Sequence, residues 1–112
     1  MDDKNAVRIE LAGDLDVYRR DEIAAQFPPP ESVSRVIVDM RNATLIDSSI
    51  VSVLMRYRRA FMDCGNDGLD MVLVVPQVFR RIFEITGLVK LVTVVTAPTV
   101  PDDGPKKPLT EA

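Results

Sequence analysis

Met71-Val72-Leu73-Val74-Val75-Pro76 decides how this chain folds. Five consecutive apolar residues, four of them Val or Leu, have the signature of a strand buried on both faces, as in the centre of a parallel sheet. Pro76 suits the first position of a helix, because it lacks an N–H where none is needed. The segment behind it carries Val78, Phe79, Ile82, Phe83 and Ile85, and Gly87 stands where a left-handed residue ends a helix. Leu91-Val92-Thr93-Val94-Val95 follows as a last strand. Strand, helix and strand in so short a space predict a parallel crossover unit.

The same alternation extends towards the N-terminus. Arg35-Val36-Ile37-Val38-Asp39 is a short β-branched run and reads as a second buried strand. Val7-Arg8-Ile9-Glu10-Leu11 alternates strictly, which places Val7, Ile9 and Leu11 on one inward face. Gly13-Asp14-Leu15-Asp16 reads as the turn after it. Val17 to Phe27 is expected to form a helix that Pro28-Pro29-Pro30 stops. Asp47, Ser48 and Ser49 supply candidate N-caps for a long helix whose Ile50, Leu54, Tyr57 and Phe61 share one apolar face. Cys64-Gly65-Asn66-Asp67-Gly68 reads as a turn. The fold class expected is α/β, with a mostly parallel four- to five-stranded sheet and helices packed against it, over residues 1–97. Residues 98–112, with Pro98, Pro101, Pro105 and Pro108, are expected to be a proline-rich, disordered tail.

Composition narrows the chemistry. The chain has 112 residues with 14 basic and 17 acidic side chains, a net charge of −3, one cysteine and no histidine. The acidic balance argues against a nucleic-acid binder. Without histidine there is no Ser-His or Cys-His nucleophile pair and no imidazole metal ligand. A lone thiol at Cys64 forms no intramolecular disulfide. The polar start Met1-Asp2-Asp3-Lys4-Asn5 is unlike a signal peptide and no segment is long and apolar enough for a membrane span, so a cytoplasmic protein is expected.

In an open α/β sheet, sites form at the carboxyl ends of the strands. There the chain collects Asp14, Asp16, Asp39, Asp47, Ser48 and Ser49. A helix N-terminus with its free N–H groups favours a phosphate. Ser49 lies about 100° round the helix from inward-facing Ile50, within reach of a kinase. Local sequence equally allows Asp47 or Ser48 to cap the helix with Ser49 a bystander. Asp14, Asp16 and Asp39 read as turn formers and strand ends more readily than as a metal or acid/base set. Arg56, Arg58 and Arg59 read as a solvated helix face. Val51, Met55 and Met62 form a second apolar stripe on the long helix, either covered by the chain itself or open to a partner.

These motifs, in this order, resemble the STAS domain, and among its members the bacterial anti-sigma factor antagonists. The resemblance spans residues 6 to 97. It rests on Gly13-Asp14-Leu15-Asp16, Val36-Ile37-Val38-Asp39-Met40, Leu45-Ile46-Asp47-Ser48-Ser49, and Val78-Phe79-Arg80-Arg81-Ile82-Phe83-Glu84-Ile85-Thr86-Gly87-Leu88. It implies a switchable binding module, with no catalytic residue, cofactor or metal. By resemblance Ser49 is the phosphorylated serine, Asp16 the aspartate beside it, and Asp47 the aspartate preceding the serines. The partner surface expected is Asp16, Asp47, Ser48, Ser49, Val51 and Met55. The partners implied are a serine-kinase anti-sigma factor with a GHKL-type ATPase fold and a PP2C-type phosphatase, and a weak homodimer is compatible with this reading. Three features depart from the family pattern. Ile50 stands where a glycine is usual, an N-terminal edge strand looks missing, and the tail replaces a C-terminal helix. A constitutive adaptor in a lipid-transport or signalling complex is the competing expectation. A receiver-like domain taking phosphate on Asp39 with Mg²⁺ is a third, weakened because Lys90 is poorly placed for it.

Overall fold

A computed structural model describes residues 5–63 and 70–97. In chain order the elements are β1 (Asn5–Glu10), β2 (Gly13–Leu15), α1 (Arg20–Ala24), β3 (Val33–Asp39), β4 (Ala43–Ile46), α2 (Ser48–Asp63), β5 (Asp70–Pro76), α3 (Arg80–Ile85) and β6 (Thr93–Ala97). Four strands form one sheet in the order β1-β3-β5-β6, every pair parallel. Val36, Val38, Leu73 and Val75 from the two inner strands are buried, as their unbroken apolar runs require.

The expected α/β architecture is present, with one addition. Gly13–Leu15 is a strand as well as a turn, and it pairs in parallel with Ala43–Ile46 as a separate two-stranded ribbon. Hydrogen bonds from Leu11 N–H to the Asp39 carbonyl (3.0 Å) and from Gly13 N–H to the Asn42 carbonyl (3.1 Å) carry the pairing across the break. Met40 N–H stays with the main sheet, donating to the Val74 carbonyl at 2.7 Å. The ribbon therefore continues β1 and β3 beyond the point where β5 stops following them.

Three element boundaries differ from the sequence expectation. Val17 to Phe27 is a 3₁₀ turn at Val17–Arg19, then only five α-helical residues in α1, then turns reaching Phe27. Ile23 is the single buried side chain of α1, so little packing holds a longer helix there. Pro76 ends β5 in extended conformation, and a 3₁₀ turn at Gln77–Phe79 leads into α3. The last strand begins at Thr93, because Gly87 (φ +81°) turns the chain into a 3₁₀ turn that buries Leu88. The turn expected at 64–68 and the proline-rich tail lie outside the described residues.

The core is built where α2 meets the sheet. Ile50, Leu54 and Phe61 are fully buried, as is Ile23 of α1 and Phe83 of α3. Each such side chain contributes roughly 1.5–3 kcal/mol relative to remaining in water. Arg58 is not merely solvated, since its Nε donates to the Leu91 carbonyl at 3.1 Å and ties α2 to the turn before β6.

Candidate functional site

The site grows from the ribbon. β2 ends at Leu15 and β4 at Ile46, which are paired, and Asp47 N–H donates to the Leu15 carbonyl at 3.1 Å. Both chains then leave the ribbon side by side, one into the turn at Val17–Arg19 and the other into α2. Asp47 is the residue before α2, where a short side chain can accept from the open N–H groups of the first turn. Its Oδ1 accepts from Ser49 N–H at 2.9 Å and from the Ser49 hydroxyl. Ile50 N–H donates to the Asp47 backbone carbonyl at 3.2 Å, and the N–H groups of Ile50 and Val17 also favour the charged carboxylate. The Ser49 hydroxyl is the main cause holding the Asp47 carboxyl below its usual range; burial opposes it, and the backbone N–H groups of Ser49, Ile50 and Val17 add smaller contributions to the lowering.

Asp16 repeats the arrangement on the neighbouring segment. Its carboxylate accepts from Tyr18 N–H at 3.1 Å and caps the 3₁₀ turn. Arg19 closes that turn over the ribbon by donating to the carbonyls of Ala12 (2.7 Å) and Asp14 (3.2 Å). Gly13 has φ +81°, a conformation that suits glycine.

Of the residues expected at the site, the structure brings Asp16, Asp47, Ser48 and Ser49 together at the exit of the ribbon. Ser48 is exposed and Ser49 half-buried. Val51 is only 2% exposed and belongs to the core, which removes it from the partner surface expected for it. Met55 is half-buried against the core and Met62 is 45% exposed near the far end of α2. The second stripe therefore does not form one open patch beside Ser49.

Three apolar side chains that sequence reasoning passed over stand out instead. Val17 is 48%, Tyr18 92% and Leu45 41% exposed. They lie on the segments next to Asp47: Val17 and Tyr18 follow Leu15, whose carbonyl accepts from Asp47 N–H, and Leu45 precedes Asp47 by two residues on β4. An apolar residue directly after a capping aspartate, inside a stretch read as a helix, was the available signal.

Asp14, Asp16 and Asp39 do not form a cluster, and no group of three acidic, Cys or His side chains among the described residues could hold a metal. Asp14 accepts from the Thr44 hydroxyl at 2.6 Å. Asp39 is 5% exposed and paired with Arg8 and Arg41 at the break between sheet and ribbon. Burial alone would push its carboxyl up, but the Arg41 side chain and N–H, with the charges of Arg41 and Arg8, hold it below the usual range. A carboxylate so engaged is not open to accept a phosphoryl group, against the receiver-like expectation.

The Ser49–Asp47 pair positions a hydroxyl without activating it. A carboxylate held below its ordinary range is a weak base, and a general base needs a pKa near the working pH.

A family model described as "Mlab, STAS domain" matches residues 2–93 of the 112. The chain belongs to the STAS family. The α/β architecture with its parallel four-stranded sheet is that of a STAS domain. STAS domains are typically regulatory and binding modules rather than enzymes. In this STAS domain Ile50, at the position where the family usually has glycine, is fully buried, so the larger side chain is taken up by the core. No helix among the described residues is long and apolar enough to cross a membrane.

Proposed function

We propose that this STAS domain is an anti-sigma factor antagonist, a non-enzymatic cytoplasmic switch that acts by binding. In the unmodified state it captures a serine-kinase anti-sigma factor of the GHKL-ATPase type, and transcription by the sigma factor proceeds. Phosphorylation of Ser49 releases the partner, and a PP2C-type phosphatase restores binding. The observation that carries this reading is the Ser49 hydroxyl at the N-terminus of α2, held by Asp47, whose own N–H donates to Leu15 just before exposed Val17 and Tyr18.

The energetics suit a switch. A phosphate adds about −1.5 to −2 charges. The helix dipole returns only about 0.3–1 kcal/mol, while an unpaired charge enclosed at an interface costs roughly 3–5 kcal/mol. The difference corresponds to a loss of affinity on the order of a hundredfold or more. In the test, immobilised wild type, Ser49→Ala and Ser49→Asp are compared as bait in a lysate of the native source. Retention of a GHKL-type ATPase by the first two alone is expected. Equal retention of that ATPase by all three refutes the switch.

A second reading keeps the fold without the switch: a constitutive adaptor subunit of a lipid-transport or signalling complex. Buried Ile50 favours it, because a bulky residue replaces the small one beside Ser49. The same comparison separates the two, since an adaptor holds one non-kinase partner equally in all three forms.

A further inference from the structure

A second face of α2 carries a site unrelated to Ser49. The end of α1, the Pro28-Pro29-Pro30 segment and the middle of α2 enclose a cleft of about 420 Å³. That volume lies within the roughly 300–1,000 Å³ range of small-ligand pockets. The Phe27 and Tyr57 rings meet at 4.7 Å between centroids, tilted by 53°. Tyr57 donates its hydroxyl to the Pro28 carbonyl at 2.7 Å, so the ring is anchored and its polar tip is turned to the chain's own backbone. The prolines have no N–H and a fixed φ, which makes their side of the cleft apolar and preformed. Val53 is buried beneath, and Ala24 and Ala60 are small enough to leave the space open.

One charged residue lines this cleft, Arg56. Arg8, Arg19, Arg41, Arg58 and Arg80 each hold a carboxylate or a carbonyl. Arg56 is exposed and has no hydrogen-bond or ion-pair partner among the described residues. A preformed apolar cleft with a single uncommitted guanidinium matches a ligand with an apolar body and one negative charge. A polyphosphate would leave its other charges without donors here, and a cationic amphiphile would meet like charge. We propose that this cleft binds a single-chain amphipathic carboxylate of the medium-chain fatty acid class, its chain against Phe27, Tyr57 and the prolines and its carboxylate on Arg56.

The full chain, titrated with decanoate below its micelle concentration and followed by amide NMR, tests this. Saturable shifts at Val53, Arg56 and Ala60 are expected, with decyltrimethylammonium at least tenfold weaker. Arg56→Gln, which removes no hydrogen bond or ion pair among the described residues, is expected to weaken decanoate by about threefold to tenfold and leave neutral decanol unchanged. Ala60→Trp, which fills the cleft, should abolish all binding. No saturable shift with decanoate, equal binding of the cationic amphiphile, or an Arg56→Gln affinity equal to wild type each overturns the proposal.

Discussion

Asp47 is the residue on which the site's geometry depends, and its replacement by alanine has a calculable cost. Its carboxylate caps α2 through Ser49 N–H at 2.9 Å and also accepts from the Ser49 hydroxyl. Loss of an N-cap costs about 0.5–2 kcal/mol. The Ser49 hydroxyl adds a second hydrogen bond to the same charged acceptor, discounted because Asp47 is partly exposed, of about 1 kcal/mol. Asp47→Ala should therefore lose about 1.5–3 kcal/mol, read as a fall of roughly 1–2 M in the urea midpoint with an unchanged slope. Asparagine caps a helix nearly as well as aspartate, so Asp47→Asn should lose less than about 1 kcal/mol. The pH dependence has a definite sign. The Asp47 carboxyl is lowered in the folded state, so its charge-dependent stabilisation is complete above the unfolded value of about 4 and disappears as pH falls through the folded value. The gap between wild type and Asp47→Asn should thus close between pH 7 and pH 2. An Asp47→Ala variant within about 0.5 kcal/mol of wild type, or an Asn variant as unstable as the Ala variant, refutes the capping argument.

Four further outcomes are expected. Ser49→Asp places a second carboxylate against Asp47 and loses the Ser49 donor, so it should cost about 1–2 kcal/mol at pH 7 after the dipole's return. Adding Asp47→Asn should recover about 1 kcal/mol in a double-mutant cycle; strict additivity would exclude the repulsion. Asp39→Asn should cost about 1–3 kcal/mol, less than for a fully buried pair because Arg8 and Arg41 are about half-exposed. That cost is present above pH ~4 and is lost as pH falls through the lowered carboxyl value, as urea titrations at pH 7 and pH 2 would show. Gly87→Ala meets no atom within 4 Å, so its cost is the left-handed backbone alone, about 1–2 kcal/mol by thermal melting, with Gly87→Asn costing less. Tyr18→Ala should leave stability within about 0.5 kcal/mol while weakening capture of the proposed ATPase partner by roughly thirtyfold, and unaltered capture would remove Tyr18 from the proposed docking face.

Legibility in the sequence followed how local the deciding forces are. β3 and β5 are evident because burial on both sides demands β-branched runs, and α2 because one buried face repeats Ile50, Leu54 and Phe61. Gly87 is evident because only a residue without Cβ is at ease at φ +81°. β4 was hidden: Ala43-Thr44-Leu45-Ile46 has no strand signature of its own and is extended because Gly13–Leu15 lies beside it. The Asp39 pairing with Arg8 was equally hidden, since the partners are 31 residues apart. Val51 reads as part of an outer stripe when the helix is considered alone, and only the packing around α2 shows that its buried sector is wider than one face. At the site, the grouping of Asp47, Ser48 and Ser49 was legible from capping chemistry, whereas the bond from Asp47 N–H to the Leu15 carbonyl and the exposure of Tyr18 depend on the ribbon.

That ribbon has a consequence for where the molecule opens. β2 and β4 are hydrogen-bonded to each other and not to β5 or β6, whereas β3 and β5 have a strand on either side. Amide protons of Leu15 and Ile46 should then exchange with solvent through local opening, at a free energy below that of global unfolding, while those of Val38 and Leu73 wait for the whole sheet. Asp16 and Asp47 stand where the chain leaves this ribbon, whereas Ser49 stands on the first turn of α2, which the core holds through Ile50 and Leu54, so opening of the ribbon should part Asp16 from Ser49 without unseating α2.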